Sequence, residues 1–445
     1  MTSVSIEQVS PETLRKVIVA AAIGNFVEWF DFAVYGFLAT TIAQQFFPSG
    51  DASAALLKTF AVFAVAFAFR PLGGIFFGML GDRIGRKRTL AMTILLMAGA
   101  TTLIGILPTY AAIGVMAPIL LTLIRCAQGF SAGGEYAGAC AYLMEHAPSD
   151  KRAWYGSFVP VSTFSAFAAA AVVAYALEAS LSAESMGSWG WRLPFLIAAP
   201  LGLVGLYLRW KLDETPAFQA VKEEHAIAHS PLKDTLRNHG AAICCLGAFV
   251  SLTALSFYMF TTYFATYLQV AGGLSRATAL LVSLIALLFA AAICPLAGLY
   301  SDRVGRRATV VTACVLLMVA VYPSFLMASS GGFAASIVGV MLLAIGAVLC
   351  GVVTAALLSE TFPTRTRYTA SAITYNMAYT LFGGTAPLVA TWLISTTGSN
   401  MSPAFYLIAV ALLALAGGLA LPETSRISLH DVATPENAAQ AVAAV

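Results

Sequence analysis

Gly78-Met79-Leu80-Gly81-Asp82-Arg83-Ile84-Gly85-Arg86-Lys87-Arg88 returns 220 residues later as Gly298-Leu299-Tyr300-Ser301-Asp302-Arg303-Val304-Gly305-Arg306-Arg307. Each copy follows the second long apolar run of its half of the chain. A second pair keeps nearly the same register. Glu145, Pro148 and Arg152 are matched at an offset of 215 by Glu360, Pro363 and Arg367, each set after a fourth apolar run. The halves also end alike, Asp213-Glu214-Thr215-Pro216 against Pro422-Glu423-Thr424. Two in-register repeats half a chain apart mean a duplicated unit. Parallel repeats of this kind put a binding site near mid-membrane, between the halves.

The chain around these loops is too apolar for water. Of its 445 residues 59% are hydrophobic and 10% charged, where a soluble domain carries about 25% charged residues. Twelve runs of the length needed to cross about 30 Å of hydrocarbon are found: 17–42, 56–80, 89–107, 111–144, 153–177, 192–210, 241–269, 277–300, 309–328, 333–358, 368–395 and 403–421. No stretch sustains the alternation of a membrane β-strand. The expected fold is all-α, with twelve transmembrane helices in two parallel six-helix bundles related by a pseudo-twofold axis. The expected divisions are an N-terminal bundle over 1–210, a polar linker over 211–239, a C-terminal bundle over 240–422 and a short tail over 423–445.

With the N-terminus inside, nineteen of the 24 Lys and Arg fall on the inner side; Lys58, Arg192 and Arg276 fall outside, and Arg70 and Arg125 lie within spans. This bias predicts cytoplasmic termini in a bacterial-type inner membrane. The first apolar run follows Arg15-Lys16, contains acids and lacks a small-residue cleavage site, so it reads as a retained helix. The seven Cys sit almost all in apolar runs without metal spacing and read as packing residues. His225 and His229, four apart in a polar stretch, read as solvated. No cofactor, metal or nucleic-acid partner is expected; the expected partners are lipid, protons and a small solute, with a monomer as the functional unit. No nucleophile elbow, phosphate loop or acid/base cluster with His supports an enzyme.

The repeated loop resembles the signature of the major facilitator superfamily. Finer stretches are similar to its metabolite:proton symporters: Gly24-Asn25-Phe26-Val27-Glu28-Trp29-Phe30-Asp31-Phe32, Arg70-Pro71-Leu72-Gly73-Gly74, Gln128 to Tyr136, Trp189 to Phe195, and Glu214-Thr215-Pro216-Ala217-Phe218. The resemblance covers about residues 15–425. It implies alternating access driven by protons, with solutes ranging from proline and betaine to α-ketoglutarate, citrate, shikimate and aromatic acids.

Ionisable groups inside spans cost roughly 2.5–3.5 kcal/mol each on insertion scales and need a reason to be there. Glu28 and Asp31 are three apart, on one helix face. Two adjacent carboxylates repel when both are ionised, so one readily holds a proton near neutral pH. Both are candidate proton sites, with Glu135 a third; the alternative is a structural ion pair with Arg70 or Arg125. Arg125 presents a planar fork suited to a carboxylate, and Gln128 adds an amide one turn on. The second half offers Tyr375, Asn376 and Tyr379 instead, candidate cavity residues or plain packing. Arg70, before a helix-bending Pro71, is expected to serve structure or gating, with substrate contact the alternative. So are Gly78, Asp82, Arg83, Gly85 and Arg86 of the first loop, and Asp302, Arg303 and Arg306 of the second. An Asp at a helix C-terminus faces an unfavourable dipole and wants an Arg or another helix's N-terminus. Because of Arg125 and the short tail, an organic acid is the expected solute; a zwitterionic osmolyte such as proline or a betaine is the alternative.

Overall fold

The structure, a computed structural model, describes residues 11–84, 86–134, 136, 140, 143–144, 147–211, 231–362, 367–425 and 427. Among these all regular structure is helical. Among the described residues, nine helices are long and apolar enough to span a bilayer: α2 Ala52–Phe77, α5 Arg152–Ser180, α6 Gly190–Tyr207, α7 His239–Val270, α8 Arg276–Val304, α9 Arg306–Ser329, α10 Phe333–Glu360, α11 Ala370–Thr397 and α12 Ser402–Leu419. The first span, α1, is a broken one: Ala22–Phe37 and Ala39–Phe46 meet at 64°. Two shorter apolar helices, α3 Ala91–Ile106 and α4 Met116–Ala132, occupy the remaining positions. The twelve apolar runs thus become twelve helices in two six-helix bundles.

Several spans depart from ideal helix, and the departures gather at mid-span. The chain turns at Phe69, and α2 resumes at Arg70-Pro71, where proline removes an amide donor from the ladder. One π-turn covers Met259–Tyr263 in α7, and another covers Tyr379–Gly383 in α11. Such turns are rare and often mark functional positions. The linker expectation is altered at its end: residues 231–238 are helical and run into α7 across a kink at His239 (φ −123°). Residues 212–230 lie outside the described residues.

Helices α2 and α4 pack backbone to backbone. A Cβ built on Gly129 would stand 1.7 Å from the Ala66 carbonyl oxygen, and one on Gly73 1.7 Å from that of Phe130. Helices can approach this closely only where the side chain is a hydrogen, the usual device in membranes. Gly129→Ala therefore has no side-chain rotation that relieves it. We expect a sharp loss of folded, monodisperse protein in fluorescence size-exclusion chromatography, larger than for Gly99→Ala, where the space is open.

The halves meet along α5 against α8 and α2 against α11. At one face of the seam Arg276, at the start of α8, reaches Thr41 Oγ1 (3.2 Å), Gln44 Oε1 (3.4 Å) and Glu178 Oε1 (3.9 Å). At the other face Asp302 bonds the backbone of α5. Contacts between the halves are thus present at both ends of the seam among the described residues.

Candidate functional site

The site grows from the motif around Glu28. Asn25 ties α1 to α5, donating to Ser162 Oγ (2.8 Å) and Thr163 Oγ1 (2.7 Å). Its Oδ1 accepts from the Trp29 indole at 2.9 Å. That bond fixes the indole, whose ring packs on Phe257 (5.1 Å) and Tyr258 (6.3 Å) across the seam. Two residues after Trp29, Asp31 is buried beside the Thr101 hydroxyl.

The two span arginines take separate places. Arg70 is fully buried. Its guanidinium carbon lies 5.2–6.0 Å from the ring centres of Trp29, Phe32, Phe67, Tyr375 and Tyr379. Its Nη2 is 3.9 Å from Glu28 Oε1 and donates a long bond to the Ala132 carbonyl at 3.4 Å. Arg125 is also fully buried. It lies 4.2 Å from the centre of the Tyr35 ring and close to Phe32 and Phe63, and Asp31 is its acidic neighbour. A desolvated cation on an aromatic face gains about 2 kcal/mol or more, which partly replaces lost water. Arg125 Nη1 donates to Gln128 Oε1 at 2.7 Å, and Gln128 Nε2 donates to Thr101 Oγ1 at 2.5 Å. Both ends of the Gln128 amide are thus engaged, one by Arg125 and the other by Thr101.

These positions reshape the carboxylate expectation. Glu28 and Asp31 share a helix face, yet each has its own arginine. Arg70, expected at a gate, lies inside the central cluster, because α2 resumes at this residue beside the seam. Tyr375 and Tyr379 stack at 3.9 Å, and Tyr375 stacks on Tyr136 of the other half at 4.4 Å. Asn376 Nδ2 donates across the seam to the Gly133 carbonyl at 2.8 Å. The sequence reading passed over Trp29, Phe32, Tyr35, Phe63, Phe67 and Thr101. The density of rings three and four apart in α1 and α2 was the available signal.

The second loop has both partners that a C-terminal Asp requires. Asp302 accepts from the Ala153 and Trp154 amides (3.0 and 2.9 Å) and from Arg306 Nη1 (2.9 Å). Arg306 grips Glu360 with two bonds, 3.0 and 2.9 Å. Arg152 of the other half stands 3.6 Å from Glu360. Gly305 makes the turn at φ +94°, a conformation suited to glycine. Glu423 accepts from the Arg306 and Arg307 amides (2.8 and 3.0 Å) at the N-terminus of α9. Partial burial pushes its carboxyl up, but the amides outweigh that and hold it below the usual carboxylate range. Its contribution is therefore present above the ordinary value and fades only as pH falls through the lowered one. Arg303 is exposed. Gly85 and Glu135, and the side chains of Asp82, Arg83 and Arg86, lie outside the described residues, as does any account of Gly78 beyond its place in a helix.

Known proteins resemble the chain over nearly its full length. The proline/betaine transporter of Salmonella typhimurium is 38% identical over 432 residues, 95% of this chain and 86% of that protein. The glycine betaine/proline/ectoine/pipecolic acid transporter of Dickeya dadantii is 38% identical over the same shares. The ectoine/proline transporter of Corynebacterium glutamicum is 36% identical over 96% and 87%. The solved proton:xylose symporter XylE bound to 6-bromo-6-deoxy-D-glucose superposes with a TM-score of 0.77 at 18% identity, covering 94% of this chain and 98% of that one. The family model for the Major Facilitator Superfamily matches residues 21–387 and 295–443. Repeated loops, twelve spans and these matches agree: the chain is a multi-pass membrane transporter belonging to the Major Facilitator Superfamily.

Proposed function

We propose that this transporter is a proton-coupled symporter of small zwitterionic solutes of the proline, betaine and ectoine kind. It imports them across a bacterial-type inner membrane, with both termini cytoplasmic as the cation bias implies. The observation that carries the reading is the charge balance of the central cluster. Among the described residues, two buried arginines face two buried acids within a ring-lined site. A zwitterion enters such a site without changing its net charge. A di- or tricarboxylate would bring uncompensated negative charge into a low-dielectric cavity, which costs several kcal/mol per ion. The organic acid expected from Arg125 is accordingly replaced by the zwitterion, in line with the relatives. The rings suit the cationic end, since aromatic faces attract quaternary ammonium groups, and the arginine forks suit the carboxylate. Asp31 is the proposed proton site, with Glu28 as the partner of Arg70.

Uptake of radiolabelled proline or glycine betaine into proteoliposomes tests this. Accumulation should require an inward proton gradient. A zwitterion moving with one proton carries net positive charge, worth about 2.3 kcal/mol per 100 mV. A negative interior should therefore raise accumulation further. A monoanion moving with one proton would show no such response. Citrate and α-ketoglutarate should not compete. Competition by these acids, or voltage-indifferent uptake, would return the organic-acid reading.

A further inference from the structure

Tyr258 is used by nothing described so far. It is fully buried, it ends the regular helix just before the π-turn of α7, and its hydroxyl has no hydrogen-bond partner among the described residues. Its ring lies 5.2 Å from Phe67, 6.1 Å from Tyr379 and 6.3 Å from Trp29, three of the rings that surround Arg70. It also lies 5.7 Å from Phe63, which packs on Arg125. Tyr258 therefore stands between the two arginines and is an electrostatic neighbour of both.

Each arginine keeps donors without a partner among the described residues: Nε and Nη1 of Arg70, and Nε and Nη2 of Arg125. A buried donor left unmade costs about 1–3 kcal/mol, more when charged. Three fully buried groups with spare N–H and O–H donors thus border one cluster of rings.

We infer that the Tyr258 hydroxyl is the third arm of an anion clamp, donating to the carboxylate of the bound solute beside Arg70 and Arg125. The inference rests on the zwitterion reading. It assigns the C-terminal half its own hydrogen bond to the solute: the arginines belong to α2 and α4, Tyr258 to α7. The carboxylate then bridges the seam, and the arrangement with the halves in contact gains a bond that a separated pair of halves lacks.

Tyr258→Phe keeps the ring and deletes only the hydroxyl. Binding would be measured on purified full-length protein with L-proline, glycine betaine and L-proline methyl ester, after melting curves establish that the variant is folded. Losing a hydrogen bond to a charged group should weaken proline and glycine betaine roughly 10- to 100-fold. The ester, already weak on the wild type, should lose little more, because hydroxyl and carboxylate share one contact. Equal affinity of wild type and variant for both zwitterions overturns the inference and leaves the zwitterion reading standing. An equal loss for the ester also overturns it, placing the hydroxyl's effect elsewhere. Failure of the wild type to bind either zwitterion overturns both readings.

Discussion

Asp31→Asn should reduce gradient-driven accumulation to a ratio of about one while substrate exchange continues. The side chain keeps its size and loses its proton site. In the wild type, a pH difference of about two units supplies about 2.7 kcal/mol per proton, enough for up to roughly 100-fold accumulation. Asp31 can take that role because it is buried, with Arg125 and the Thr101 hydroxyl as its neighbours. A proton arriving there neutralises the carboxylate and leaves the Arg125 charge uncompensated, which favours binding of an anionic group. On the proposed function, proton and solute carboxylate would support each other through one guanidinium. The groups around this pair are Tyr35 on the same helix, Thr101 on α3, Gln128 on α4 and Tyr258 on α7. The sign follows: wild-type uptake rises as the outside becomes more acidic, and the variant's does not. Proteoliposome uptake from pH 5.5 to 8 measures both. A variant that still concentrates proline would reduce Asp31 to a structural partner of Arg125.

The other large effect belongs to Arg306. Removing it as Arg306→Ala leaves Glu360 and Asp302 facing each other's charge beneath α5. Breaking a buried pair by deleting one partner typically costs about 3–5 kcal/mol. Arg152 at 3.6 Å and Thr424 at 2.8 Å from Glu360 recover only part of this. The melting temperature in detergent should fall by several degrees. Adding Glu360→Gln should restore part of the loss, because the second change removes the stranded charge. If the double variant were as unstable as the sum of the singles, the two residues would act independently, against the bidentate geometry. The contrast with Arg303, exposed on the same turn, supplies the control: Arg303→Ala should change stability by under about 0.5 kcal/mol.

Asp302, an acid opposed by its own helix dipole, needs a counter-group, and it meets both kinds, the α5 amides and Arg306. Such local requirements are legible in sequence, because capping and turn chemistry depend on neighbours a few residues away. Glycine at 305 is of the same kind, as its φ of +94° is a property of one residue.

Pairings across the bundle were not legible. Nothing in the spacing of Glu28 and Asp31 says that one meets Arg70 and the other Arg125. That is decided by how α2 resumes after Phe69, and by the carbonyl contacts that press α4 onto α2 at Gly129 and Gly73. Nor does the sequence rank Gln128 as a support for Arg125 over a solute contact; its partner Thr101 is 27 residues away on α3. Tyr258 stood among several tyrosines of α7, and only the seam put it between two arginines drawn from the other half.

The amino-acid sequence by itself determined that this chain crosses a membrane twelve times in two related halves. Hydrophobic length, loop charge and an internal repeat are additive along the chain and survive without coordinates. The tertiary structure alone decided which charges lie beside which, and so the charge balance on which the proposed solute class rests. In a low-dielectric interior an ion's energy depends on its distances to a few others, and those distances exist only once the helices are packed.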